Sequence, residues 1–241
     1  ARLAMVSGFM AFDAYAHTDA RTMFTFATQA AEEAGDWQLR AKILSHRARQ
    51  EIWCHNPEEG LTFAELGLVR ADRLSEVEKA MLHTARARAF AKLQDKQATL
   101  AAVGAADEAF TRTERVPAPT WMAYYDQAQH QGDTGHALWD LAVEKLQHPQ
   151  RATQRLAAAV EGHPDAYRRS RAISGIKLAS LQLRFGDHEQ AHSTTMTALK
   201  DMGQVHSKRA LDDLKELSAS AARHQANGLS EHTATVIESQ P

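Results

Sequence analysis

The sequence predicts an all-α protein built from stacked antiparallel helix hairpins, and three observations predict it. About a fifth of the 241 residues are alanine while valine and isoleucine are sparse, a balance that favours helix because alanine loses no side-chain entropy there and β-branched residues do. The six prolines, Pro57, Pro117, Pro119, Pro149, Pro164 and Pro241, fall between helical patterns or at the end of the chain, where a missing amide donor is harmless. Turn signals recur at intervals of about 38 residues, inside the range of helical-hairpin repeats.

Taken in order, the elements are expected near 2 to 16, 19 to 34, 37 to 54, 57 to 71, 76 to 93 and 96 to 113, then 120 to 131, 134 to 147, 150 to 161, 166 to 185, 188 to 202 and 207 to 225. Gly35-Asp36 and Gly186-Asp187 each pair a residue that ends a helix with one that begins the next, and Gly132-Asp133 reads the same way. Asn56-Pro57-Glu58-Glu59 offers an N-cap, a proline at the first helical position and acids in the first turn. Ser75-Glu76-Val77-Glu78 matches a capping box. Between Trp121 and Val160 two registers fit: a hairpin of 120 to 131 and 134 to 147 followed by an extra helix, or one long kinked helix paired with 150 to 161. The spacing from Pro149 to Asp187 favours the second. From Arg223 to Pro241 apolar density falls, which predicts a cap or a frayed tail.

The segment from Ile176 to Leu199, IKLASLQLRFGDHEQAHSTTMTAL, resembles a tetratricopeptide repeat. Leu178-Ala179 occupy the Leu-Gly positions of its first helix, Gly186-Asp187 the turn, and Ala191 and Ala198 the small-residue positions of its second helix. Trp121, Gly132-Asp133 and Ala137 repeat the Trp, turn and Ala spacing, whereas Gly60 and Gly67 stand where alanine is usual. The resemblance implies a tetratricopeptide-like right-handed superhelix of antiparallel helix hairpins, forming a single array over residues 1 to 222.

From Trp121 onward the order of features is similar to the C-terminal sensor region of actinobacterial helix-turn-helix transcriptional regulators. Those features are WMAYYDQA, RATQRLAAAV, YRRSRAISGIKLASLQLRFGDHEQA and VHSKRALDDLKEL, with Arg169-Ser170-Arg171 and Ser207-Lys208-Arg209 at the positions where that family has Arg-Ser-Arg and Ser-x-Arg. This resemblance implies a part in transcription regulation through effector sensing or dimerisation. DNA would be reached only through an N-terminal domain outside this sequence.

Charge and composition narrow the remaining classes. A net charge of −2 gives no excess of positive charge to hold a phosphate backbone. The lone Cys54 rules out an internal disulfide, no stretch is apolar enough to span a bilayer, and no signal-peptide pattern follows Ala1, so the expected location is cytoplasmic. Thirteen histidines show neither His-Glu-x-x-His spacing nor a His/Cys cluster, Cys54 has no evident base beside it, and no glycine-rich phosphate loop exists. No metal, cofactor or catalytic set is expected, and the chain reads as a binding protein, not an enzyme.

Two clusters invite a ligand. Trp121, Tyr124 and Tyr125, followed by Asp126, are at helical spacings that put the three rings on one face. Arg168, Arg171, Lys177 and Arg184 belong to a basic helix. Aromatic rings supply a rigid apolar floor and guanidinium forks suit acidic groups, so these eight residues are the expected ligand-binding set, for a peptide or small-molecule effector with an apolar body and an acidic head. The alternatives are packing between hairpins for the aromatics and a solvated face for the bases. The rival function is a constitutive protein-interaction scaffold or homodimerisation module with no ligand.

Overall fold

The computed structural model describes residues 1–112, 116–203, 207–224 and 226–239, the side chains of Asn227 and Ser239 apart. Val205 and His206 of the VHSKRAL motif, Thr113 and Gln225 at two expected helix ends, and Pro241 lie outside the described residues. Among the described residues there are twelve α-helices, three short 3-10 turns and no strand. The chain divides into two compact units, Ala1–Asp126 and Gln127–Pro241.

The first unit holds α1 (Arg2–Asp13), α2 (His17–Glu33), α3 (Trp37–Trp53), α4 (Pro57–Leu68), α5 (Glu76–Lys92) and α6 (Lys96–Thr111). Helices α1 and α2, α3 and α4, and α5 and α6 pack as hairpins. Within this unit α1 also meets α3, α3 meets α5, and α2 and α4 lean forward onto α3 and α5. The second unit holds α7 (Gln127–Val143), α8 (Gln150–Gly162), α9 (Arg168–Arg184), α10 (His188–Met202), α11 (Lys208–Arg223) and α12 (Asn227–Ser239). Its hairpins are α7 with α8, α9 with α10 and α11 with α12, and α9 packs on α7, α8 and α11.

One turn closes every hairpin. The amides of Ala16, Asn56, Asp95, Leu146, Asp187 and Ala226 each donate to the carbonyl five residues back, on Ala11, Glu51, Phe90, Leu141, Gln182 and Ala221, at 2.8–3.0 Å, the bond of a Schellman motif. The preceding residue has positive φ at Tyr15, His55, Gln94, Lys145 and Gly186; only the last is glycine, so four of these turns carry some backbone strain. Because the turn recurs at Ala16, Asn56 and Asp95, it aligns the three hairpins of the first unit residue by residue.

The expected starts at Asp36, Asp95 and Asp187 hold, with each side chain accepting from the amide three residues on, at Leu39, Ala98 and Gln190. The capping box of Ser75 and Glu78 is formed. Asn56 makes no cap bond; its side-chain amide donates to Glu51 Oε2 at 3.1 Å. The glycines at the usual alanine positions of α4 have a packing cause: a Cβ on Gly67 would lie 2.5 Å from Leu82 Cδ2, and one on Gly60 would lie 2.7 Å from Ile52 Cγ1. Ala191 and Ala198 are buried in the core that joins α9, α10 and α11.

Two expectations are corrected. Residues 120–126 are not helical beyond the 3-10 turn Thr120–Met122, and the helix begins at Gln127. Gly132-Asp133 is not a turn but lies inside α7, where Gly132 permits close approach: its Cβ would meet Ser174 Oγ at 3.3 Å and Ala159 Cβ at 3.5 Å. The long-helix register, paired with α8, is therefore the one adopted, in shortened form. Downstream, the stretch read as a cap or frayed tail contains α12, which packs on α11 and α10 and buries Leu229 and Thr233.

Candidate functional site

Within the first unit, the segment from Pro117 to Tyr125 crosses the first helices of the three hairpins. Pro119 is extended, and proline disfavours a helical conformation at the residue before it, which keeps the start of the segment off the helical path. Gln38 on α3 donates to the Pro117 carbonyl at 3.1 Å. Trp121 packs against the core of α1, α2 and α3 and also against that of α3, α5 and α6, with the Arg2 guanidinium 4.9 Å from its ring centroid. Met122 and Tyr125 are buried among Ala41, Ala80, Met81 and Ala109.

Tyr124 is the polar contact of this segment. The ammonium of the buried Lys42 donates to its hydroxyl and lies 3.6 Å from its ring centroid, and that hydroxyl is 3.3 Å from Met81 Sδ. Tyr125 Oη and Thr84 Oγ1 are 3.3 Å apart, and the Tyr125 ring meets Phe110 edge-on. Asp126 ends the segment half-buried. The three rings thus do not share a helix face. They are inserted side by side into the surface made by α1, α3 and α5, where the Trp121 indole N–H is buried without an acceptor among the described residues.

Next to the start of this segment lies an open hollow of about 600 Å³, lined by Gly35, Asp36, Trp37, Gln38, Asp72, Arg73 and Val116. The Trp37 ring is flanked by the guanidinium groups of Arg40 and Arg70 at 5.6 and 5.2 Å. Arg70 in turn grips Asp72 with two bonds of 2.8 Å and holds its carboxyl down at about 2.

The expected basic residues belong to the second unit, and there their charge is met by acids of the same chain. Arg171 forms a two-pronged bond with Asp201 at 2.7 and 2.8 Å and donates to the His163 carbonyl and Asp165 at 3.0 Å each. The Asp201 hydrogen bond, opposed by partial burial and reinforced by Asp165, raises its pKa further. Arg168 joins the same acid, Asp165, at 3.1 Å. Lys177 lies 2.8 Å from Asp213 and 3.5 Å from Glu216, with its ammonium 3.7 Å from the Trp139 ring centroid. Burial pulls its pKa down, but Asp213, Glu216 and Asp140 together outweigh that and raise it. Arg184 shares Glu216 at 3.5 Å. The structure therefore gathers Arg168 with Arg171, and Lys177 with Arg184, as ion-pair knots tying α9 to α10 and to α11.

The motifs that prompted the regulator resemblance have structural work of the same kind. Arg171 is the second arginine of Arg169-Ser170-Arg171, and Ser207 caps α11 by accepting from the Ala210 amide. Lys42, the base that contacts the aromatic segment, was not singled out from the sequence; its one signal is a lysine set between Ala41 and Ile43 on an apolar stretch of α3. Burial raises the Cys54 thiol, against a smaller opposing effect of Arg21, the reverse of what a thiolate nucleophile requires. Among the described residues no group of three His, Cys, Asp or Glu could hold a metal ion, and no helix is long and apolar enough to cross a membrane. Compared with protein-family models, with curated proteins and with solved structures, the chain shows no significant match.

Proposed function

We propose that the chain is the regulatory sensor region of a transcriptional regulator, a tetratricopeptide-like array whose recognition surface is the face shared by α1, α3 and α5. The array reading is supported by the repeated Schellman turn and by the packing of first helix on first helix within each unit. In the proposed geometry the hairpins of a unit follow a right-handed superhelical path, and the first helices line its inner side. The effector is a peptide or a small molecule with an apolar, aromatic body. DNA contact belongs to a domain outside this sequence.

The observation that carries the reading is that this face already holds an aromatic stretch of polypeptide outside any α-helix, Pro117 to Tyr125, through one bond from the Gln38 side chain to its backbone, ring insertion and the Lys42 ammonium. A surface that accepts one such segment has the pockets and donors for another. The held segment leaves the Trp121 N–H unsatisfied, which costs free energy that an effector carbonyl would recover. The rival, a ligand-free scaffold, is favoured by the ion-paired state of Arg171 and Lys177, which leaves α9 a structural helix.

Panning a random linear-peptide library against the chain separates the two. The sensor reading expects enriched peptides rich in aromatic residues, with Lys42→Met raising their Kd at least about tenfold, roughly 1.4 kcal/mol, while the helical circular-dichroism signal stays unchanged. Enrichment of peptides indifferent to Lys42→Met, or no enrichment at all, counts against it.

A further inference from the structure

Helix α1 turns an apolar stripe outward. Leu3, Val6 and Met10 are 81%, 49% and 66% exposed, they recur at the three-and-four spacing of a helix seam, and no charged residue interrupts the helix between Arg2 and Asp13. The turn at Ala16, Asn56 and Asp95 gives each of the three its counterparts in the next hairpins: Ile43 and Leu82 for Leu3, His46 and Ala85 for Val6, Gln50 and Ala89 for Met10. All but the half-buried His46 are buried. Ile43 joins the core of the first hairpin, His46 stacks on Phe24 and tilts against Phe9, and Gln50 donates to the His17 carbonyl. Leu82 fills the space over Gly67, and Ala85 packs with Leu44 and Phe63. The exposed face of α1 is thus the face by which each later hairpin seats on its predecessor.

The charges of α1 indicate what seats on it. A helix end favours acids at its N-terminus and bases at its C-terminus, yet α1 has Arg2 at the start and Asp13 at the end, with no acid in its first turn and no base in its last. Both charges oppose its own dipole. Both would favour an antiparallel copy of the same helix, which brings Asp13 to the start and Arg2 to the end. The same two-fold arrangement sets Leu3 against Met10 and brings the two Val6 side chains together at the centre.

We propose that α1 is a homodimerisation surface, pairing antiparallel with α1 of a second copy about a two-fold axis through Val6. Three large side chains per copy bury less than the roughly 800 Å² per partner of a standard stable interface, so the dimer is weak, with a Kd of about 1–100 μM. The inference stands apart from the effector reading, since the stripe lies on the outside of α1 and involves no effector.

Sedimentation equilibrium of the full 241-residue chain over low to high micromolar concentration tests it. A reversible monomer–dimer equilibrium is expected, with Val6→Glu raising the dissociation constant at least tenfold by placing two carboxylates face to face, at unchanged melting temperature. Arg2→Glu and Asp13→Arg should each weaken the dimer, and an equimolar mixture of the two should restore it, because only the mixed pair matches opposite charges at both ends. A chain that stays monomeric throughout, or a dimer indifferent to Val6→Glu and not restored by mixing, overturns the proposal. Should Val6→Glu disturb the fold, the mixing experiment decides alone.

Discussion

Lys177 shows how a residue type can be legible while its role is not. The sequence presents a basic side chain on a helix near other bases, and a solvated or ligand-facing position follows from that alone. Asp213 and Glu216 lie well over thirty residues downstream, and nothing local links them to Lys177. In the fold its ammonium is inserted between two carboxylates and the Trp139 face. Lys177→Ala should therefore cost stability, about 3 kcal/mol, because it leaves the buried Asp213 carboxylate without its counter-charge. Asp213→Asn made together with Lys177→Met should recover part of that loss. Chemical denaturation of the three proteins checks both; equal midpoints for wild type and Lys177→Ala would mean the ion pair contributes nothing.

His83 carries the pH sensitivity of the same kind of burial. Burial first, then the neighbouring Arg86 and Arg112, lower its pKa from the usual 6.5 to about 4. Between those values the unfolded chain binds the His83 proton and the folded chain does not, so the contribution of His83 to stability is constant above about pH 6.5 and declines as pH falls toward 4. The full shift corresponds to roughly 3 kcal/mol. His83→Gln should flatten the difference between urea midpoints measured at pH 7 and pH 5, and an unchanged difference would show that the proton goes elsewhere.

At the scale of elements, helix boundaries set by local chemistry were readable and those set by packing were not. Asp36, Asp95 and Asp187 and the Ser75 box act within one turn of themselves, so their spacing in the sequence contains the information. Glycine does not work that way. Gly186 ends a helix at positive φ, whereas Gly132 sits inside α7, where a Cβ would press on Ser174 Oγ at 3.3 Å and touch Ala159, and a sequence presents both simply as Gly followed by Asp. The aromatic run WMAYY likewise has helical spacing, but the preceding prolines and the pockets on α3 and α5 keep it to a single 3-10 turn and a following turn, with no α-helix. Gly67→Ala is a direct test of the packing reading: a Cβ 2.5 Å from Leu82 Cδ2 should cost about 1–3 kcal/mol, and Leu82→Val in the same chain should relieve some of it. On α10, Ala191→Leu should destabilise by a similar amount, whereas Glu189→Ala, on the exposed side of the same helix, should be nearly silent. Equal melting temperatures for Ala191→Leu and Glu189→Ala would refute the tight seam between α9 and α10.

For the whole molecule, the sequence suggests one array, while the cores group into two compact units, with the aromatic segment closing the first. That segment is the last part of its unit, and Trp121, Met122 and Tyr125 complete two of its clusters, so its contribution can be separated by truncation. A fragment of residues 1 to 126 has its own core and should unfold cooperatively. A fragment of residues 1 to 112 keeps all six helices of that unit but exposes the apolar surface over Ala41, Ala80 and Met81. Removing the buried Met122 and Tyr125 forfeits about 2–5 kcal/mol each in a core, with a further contribution from the half-buried Trp121, a large share of the roughly 5–15 kcal/mol that a domain of this size has in total. The shorter fragment should therefore melt far lower and with a broader transition, and a synthetic peptide of residues 116 to 126, added in trans, should raise its melting temperature with the logarithm of peptide concentration above the dissociation constant, with Tyr124→Ala in the peptide weakening the effect. Rescue of this kind would show directly that the face of α1, α3 and α5 binds a separate polypeptide segment, as effector recognition there requires. Indistinguishable melting of the two fragments would mean that the segment rests on the surface without stabilising it, and the case for a peptide-binding face would lose its main support.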